Sequence, residues 1–251
     1  MSAVLVATGL NRNFGAVIAA ADINVSVERE SIVGLIGANG AGKTTFVNLV
    51  TGYLKPSSGS IRCDGHELTA LSPRRITQLG VSRSFQIPQL FNSLSARENL
   101  LIAVGIVAAA AHRWAHSDLT LARAGEASDE ILERFGLAAY RDREAGLLPE
   151  GVRKLLDVAM ALVVKPRILL LDEPTSGVSA DEKFAIMDLV MGAVRGVTVL
   201  FVEHDMDIVS RYAGRVIAFA DGRIIADDAP AAVLRDPEVR RLVIGEVEAH
   251  A

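Results

Sequence analysis

Residues 31–50 read SIVGLIGANGAGKTTFVNLV, and few folds accommodate that order of residue types. The apolar, mostly β-branched run Ile32, Val33, Leu35, Ile36 suits a buried strand, and Gly34 marks a place where something packs closely. Thr45 to Val50 continues as a helix. Between them, Gly37, Ala38, Asn39, Gly40, Ala41, Gly42, Lys43 and Thr44 satisfy G-x-x-x-x-G-K-[ST]. Glycines let the backbone curl so that successive N–H groups face inward, and the following helix presents its partly positive N-terminus to the same point. Lys43 adds a cation that reaches β- and γ-phosphates, and the Thr44 hydroxyl is placed to ligate Mg²⁺. A glycine-rich turn that binds nothing is the bland alternative; a strand before and a helix after are what a phosphate cradle needs. The stretch therefore predicts ATP binding through Gly37, Asn39, Gly40, Ala41, Gly42, Lys43, Thr44 and Thr45.

The rest of the chain bounds the setting. Its 251 residues can hold one large or two small domains around a sizeable core. A net charge of −4 argues against a dedicated nucleic-acid binder, so no nucleic-acid partner is expected. Cys63, the single cysteine, forms no internal disulfide and fits a reducing compartment. MSAVLVATGL lacks the basic n-region of a secretory signal. The longest apolar run, Leu100 to Ala111, is too short to span a bilayer and predicts a buried helix. A soluble chain is expected, with any membrane role supplied by a partner.

Patterning orders the remaining elements. Strands are predicted at Val4–Thr8 and Ile23–Val27, with a turn at Asn13-Phe14-Gly15 between them. Phe14 is either a core aromatic or a ring that stacks on a nucleobase. Ser60–Cys63 with Asp64-Gly65 reads as part of a hairpin, and Ser72-Pro73 starts a short helix with Ser as cap. Val81–Phe85 resumes as a strand ending at Gln86. From Ser95 to about Arg143 the pattern is helical, opened by the capping box Ser95-Ala96-Arg97-Glu98. His112 and His116 share a helix face four apart, but no third ligand lies nearby in sequence, which favours a solvated face. Val152–Val164 and Asp181–Val194 read as helices, and Arg167–Leu171 and Thr198–Val202 as buried strands. Val216–Ala220, Asp221-Gly222 and Arg223–Ala226 form a hairpin, followed by a helical and then polar tail.

Two of those buried strands end in chemistry. Asp172 is suited to the Mg²⁺ shell and Glu173 to orienting and deprotonating an attacking water, at the end of a strand expected beside the first. His204, ending the next buried strand, is suited to reach the γ-phosphate. With these residues in place, the sequence resembles the ATP-binding subunit of an ABC transporter over nearly its whole length. The resemblance runs through an adenine-stacking position at Phe14, the Walker A loop at Gly37–Thr45, a Q-loop at Ser84-Phe85-Gln86, Walker B at Ile168–Asp172, Glu173 and the switch His204. Arg83-Ser84-Phe85-Gln86, Leu90-Phe91, Glu98-Asn99-Leu100 and Val202–Asp207 make it most similar to the ATPases of branched-chain amino-acid-type importers.

The resemblance implies an α/β P-loop NTPase fold: a RecA-like core with a mixed sheet, an antiparallel β subdomain and an inserted α-helical subdomain. The core would take residues 1–87 and 161–251, and the helical insertion 88–160. It further implies that Gln86 links the γ-phosphate and Mg²⁺ to the helical lobe, and that catalysis falls to Glu173, His204, Gln86 and Lys43. Integral membrane permease subunits, a second ABC ATPase subunit and, indirectly, a solute-binding protein are the implied partners, at the cytoplasmic face of the membrane. The sequence departs from the family at the signature loop. Where LSGGQ is usual, it reads Leu148-Pro149-Glu150-Gly151-Val152. Pro149 has neither O–H nor N–H to donate, and Glu150 sets a carboxylate beside a triphosphate, although both also suit a helix start with Pro at its first position. Ser179 stands where Asp or Asn is commoner. A complete Walker set beside a poor signature loop favours a heterodimer over a homodimer. It also leaves open a nucleotide-gated dimerisation module that hydrolyses weakly. A non-transport ABC ATPase would usually carry two cassettes or a long coiled-coil insertion, and the chain has neither.

Overall fold

The computed structural model describes residues 3–110 and 118–245; His112 and His116 lie outside them. From the N-terminus run β1 (Ala3–Phe14), β2 (Val17–Glu28), β3 (Ile32–Gly37), α1 (Lys43–Val50), β4 (Ser58–Cys63), β5 (His66–Glu67), α2 (Pro73–Gln78) and β6 (Val81–Arg83). Helices α3 (Ala96–Ala110), α4 (Asp118–Arg134) and α5 (Glu150–Leu162) follow. Then come β7 (Ile168–Asp172), α6 (Lys183–Ala193), β8 (Thr198–Val202), α7 (Met206–Tyr212), β9 (Arg215–Ala220) and β10 (Arg223–Asp228). The chain divides into two compact units, one of Met1–Ser82, Arg167–Glu173 and Gly196–Ala251, the other of Arg83–Pro166 and Pro174–Arg195.

The first unit is built on two sheets. One is antiparallel, in the order β2-β1-β4-β5; the other is mixed, in the order β10-β9-β3-β8-β7-β6. Strands β9, β3, β8 and β7 run parallel, which explains why β3, β7 and β8 are almost continuously apolar: both faces are covered. Phe46 of α1 packs against Phe219 of β9 with ring centroids 5.7 Å apart, closing the core under the phosphate loop. The close approach expected at Gly34 is made by α7. A Cβ there would lie 3.2 Å from Val209 Cγ1 and 3.3 Å from Ala213 Cβ.

Four local expectations need correction. Strand β1 continues through Phe14, which pairs with Val17, so the turn is Gly15-Ala16 and Phe14 is its last strand residue. Strand β6 stops at Arg83, not Phe85. Ser72 occupies the cap of α2 but its hydroxyl makes no capping bond. Strand β7 is not beside β3; β8 lies between them.

In the second unit the capping box forms as expected. Ser95 N donates to Glu98 Oε2 at 2.7 Å and Glu98 N to Ser95 Oγ at 3.2 Å. The apolar run opening α3 is not uniformly buried: Leu100 is covered, whereas Ile106 is 65% exposed. Hydrophobicity without periodicity gives a helix no preferred inward face. Asp129 of α4 accepts from Arg97 Nε and Arg141 Nε, each at 2.9 Å, and these guanidiniums hold its carboxyl down to about 2. A depressed carboxyl contributes stability above its unfolded value and loses it as pH falls between that value and about 2. Asp129→Asn should therefore melt the helical unit earlier than wild type at pH 7, the gap closing as pH falls through that window. Thermal melts followed by circular dichroism across pH 2–7 check this.

Candidate functional site

Strand register sets the geometry of the first unit's functional edge. Leu35 of β3 pairs with Val202 of β8, which pairs with Asp172 of β7. Because the three strands are parallel and in step, the phosphate loop, Glu203-His204 and Asp172-Glu173 all leave the sheet at the same carboxyl edge. The backbone continues the row for one more step: Glu173 N donates to Val202 O at 3.0 Å and Glu203 N to Leu35 O at 3.4 Å.

The loop that leaves β3 depends on positive backbone angles. Gly37, Gly40 and Gly42 have φ of 155°, 81° and 108°. A Cβ on Gly37 would lie 2.5 Å from Phe219 O, and one on Gly42 would lie 2.9 Å from Ala19 O, so neither position has room for one. From the other side Gly222 N, in the β9–β10 turn, donates to Ala41 O at 3.0 Å, while Ala21 N donates to Gly222 O at 2.8 Å. The loop is thus braced by β2 and by that turn. Sequence patterning marked Asp221-Gly222 only as a hairpin turn.

Lys43 is buried at the centre of the curl, and Nζ donates to Gly37 O at 2.6 Å and Ala38 O at 3.0 Å. Burial lowers its pKa from the usual lysine value, while the carboxylates of Glu173 and Asp172 pull it back up. A buried ammonium held by two neutral carbonyls and faced by two acids is a strong attractor for further anionic oxygen. Thr44 is exposed and Thr45 half-buried at the first turn of α1; Asn39 and Gly40 are exposed. Asp172 is buried at its strand end. A hydroxyl and one carboxylate are hard oxygen donors, the set Mg²⁺ takes when a substrate's phosphates complete its shell. Among the described residues no cluster of three His, Cys, Asp or Glu could hold a metal by itself.

Glu173 has φ of 49°, outside ordinary strand or helix backbone, and its carboxylate Oε1 lies 3.0 Å from His204 Nε2. The structure therefore unites the two residues expected to flank the transferred phosphate. Asp205, read only as the end of a polar triplet, caps α7 by accepting from Asp207 N at 2.9 Å, which fixes where His204 leaves the strand. Phe14 is 46% exposed at the tip of the β1–β2 hairpin whose stem, at Ala19, braces Gly42. Of its two open readings, the core aromatic is excluded. Arg12 stacks on the ring, with Cζ 4.6 Å from its centroid.

Gln86 and residues 148–152 belong to the second unit. Gln86 is exposed. Leu148 is buried, Pro149 occupies the cap of α5 instead of its first helical position, and Glu150, exposed, is that first residue. A Cβ on Gly151 would lie 2.6 Å from Ile186 Cδ1 of α6, a side-chain end that can turn aside; Val152 is half-buried. Ser179 Oγ donates to Glu182 Oε2 at 2.7 Å just before α6. Two residues of α5 escaped sequence reasoning: Asp157 and Lys154 are buried and bond the backbone around Gln86. Their signal was faint, an acid and a lysine three apart in a helix that also carries Glu150 and Arg153.

The profile of the ABC transporter family matches residues 20–176. The high-affinity branched-chain amino acid transport ATP-binding protein BraF of Pseudomonas aeruginosa is 34% identical over 97% of this chain and 98% of its own length. The corresponding protein LivG of Escherichia coli gives the same three figures, 34%, 97% and 98%. The crystal structure of the ADP conformation of an ATP-binding cassette of an ABC transporter superposes with a TM-score of 0.84 at 30% identity, covering 98% of this chain and all of that one. Among the described residues no helix is long and apolar enough to cross a membrane.

The bracing of the loop gives a direct test. In Gly42→Ala the new Cβ pushes the loop from Ala19, and restoring the cradle on binding costs about 1–3 kcal/mol, so affinity for a fluorescent ATP analogue should fall about five- to 150-fold. Unchanged titration curves would show that the cradle does not set affinity.

Proposed function

The chain belongs to the ABC transporter family as its ATP-binding, ATP-hydrolysing component, and on that premise we propose that it powers import of a small solute through a separate membrane permease. The solute is a branched-chain or other hydrophobic amino acid or a related amide, a reading supported by near full-length likeness to BraF and LivG. The chain works at the cytoplasmic face of the membrane, held there by permease subunits, with a solute-binding protein acting through them.

The observation that carries the enzymatic part is the shared carboxyl edge of β3, β8 and β7, where Glu173 meets His204 and both acids face Lys43. In this reading the first unit is the nucleotide core, and the second, which also takes residues 83–87, 161–166 and 174–195, is the helical lobe with the signature loop. Phe14 stacks the adenine on the face away from Arg12. The amides of the phosphate loop with Lys43 hold the phosphates, Lys43 exchanging loop carbonyls for phosphate oxygens. Thr44, Asp172 and Gln86 would hold Mg²⁺, which supplies charge neutralisation at the phosphates when bound. Glu173 takes a proton from the attacking water as its oxygen bonds the γ-phosphorus and the bridge to the β-phosphate breaks, leaving ADP and phosphate. His204 holds the Glu173 carboxylate in line and donates to the γ-phosphate as it separates. Glu173→Gln keeps the shape and removes the base. Bound ATP should persist and turnover should fall about a hundredfold or more; wild-type phosphate release by this variant would reject the assignment.

Pro149 and Glu150 support a heterodimer with a second, different ABC ATPase. At the cap of α5 Pro149 offers neither hydroxyl nor amide, and the Glu150 carboxylate suits its own helix dipole but repels a partner's triphosphate. A homodimer would place that loop at both sites, a heterodimer at only one. The chain alone should therefore turn over slowly. Pro149→Ser with Glu150→Gly should raise its self-stimulated rate about ten- to a hundredfold, the scale of restoring one anion-stabilising donor. Rapid hydrolysis by the unmodified chain alone would favour the homodimer.

A further inference from the structure

The second unit ties Gln86 to α5 through main-chain atoms. The Asp157 carboxylate accepts from Phe85 N with one oxygen and from Gln89 N with the other, each at 2.9 Å. One turn earlier on the same helix, Lys154 Nζ donates to Gln86 O at 3.2 Å. Both side chains are buried, with 6% and 4% of their surface exposed, whereas Gln86 and Ile87 between the anchors face outward. Burial pushes the Asp157 carboxyl up, and the two N–H groups and Lys154 hold it down. Charged groups this buried are costly unless bonded, and here an acid and a lysine both bond a loop that has no regular structure of its own.

We infer that Asp157 and Lys154 are positioning residues for the ATPase reaction: they fix the backbone on both sides of Gln86 so that its side chain is presented in one arrangement. Because α5 opens at Glu150, the same rigid helix carries the signature loop at its start and the Gln86 loop on its second and third turns. Asp157 touches neither substrate nor metal; it acts through Gln86. The inference rests on the reading of Gln86 as the phosphate-sensing residue.

A double-mutant cycle on the ATPase complex, purified with its permease through a tag on this chain, separates the possibilities. Asp157→Ala should lower kcat about tenfold with KM for ATP changed less than about twofold, since nucleotide binding lies with the other unit. Hydrogen exchange at residues 85–89 should quicken in the same variant. In a Gln86→Ala background, Asp157→Ala should change kcat less than about twofold, because a residue acting through Gln86 has nothing left to position. Lys154→Met, which keeps the apolar stem, should reproduce a weaker form of both effects and serves if Asp157→Ala does not fold. An equal loss in both backgrounds would make Asp157 merely structural and overturn the inference. So would full kcat alongside lost protection at 85–89. If Gln86→Ala alone keeps full kcat, the reading of Gln86 fails instead, while exchange at 85–89 still reports whether the clamp exists.

Discussion

Everything at the functional edge depends on three parallel strands being in step. Leu35, Val202 and Asp172 lie in one row. A slip of one residue in β7 would turn Asp172 to the opposite face and carry Glu173 out of reach of His204, because side chains alternate across a strand. The register is strongly held. Val33, Leu35, Leu169, Leu171, Phe201 and Val202 are all essentially buried, so a slip would exchange packed faces throughout. The apolar core and the polar edge are thus one specification.

The edge is also an electrostatic arrangement that is incomplete without a ligand. Lys43 is desolvated and its ammonium bonds loop carbonyls, while Asp172 and Glu173 raise its proton affinity from a distance. Anionic oxygens entering the curl would replace those carbonyls and meet the loop amides and the start of α1. The same charge would meet Asp172 and Glu173 unfavourably without a cation between them, which is why a hydroxyl and a single carboxylate at the margin matter.

The parts of the site that were legible in sequence are those whose chemistry is local. Gly37–Thr45 announces itself because curl, charge and helix start are adjacent in the chain, and Asp172-Glu173 and His204 because each ends an apolar strand. What escaped depends on distant partners. Asp157 reads as an ordinary helix residue until Phe85 and Gln89, about seventy positions away by its two bonds, supply its role. The brace of Gly222 on Ala41 and the interposition of β8 between β3 and β7 are likewise matters of topology that no local pattern encodes. Phe14 was ambiguous because spacing alone does not give exposure, and the apolar run of α3 misled because hydrophobicity without periodicity carries no direction.

Helix α5 shows how Pro149 and Glu150 are structurally tolerated at its start. Its fold duties lie past the first turn, where Lys154 and Asp157 hold the Gln86 loop. None of these requires a serine at 149 or a glycine at 150. A proline cap followed by an acid is a sound helix start, because the missing amide would have been unpaired there and the carboxylate suits the dipole. Folding therefore exerts no pull toward a serine at 149 or a glycine at 150. Pro149 and Glu150 thus satisfy what the helix needs in order to start, which is a separate matter from what a partner's site would need in order to react.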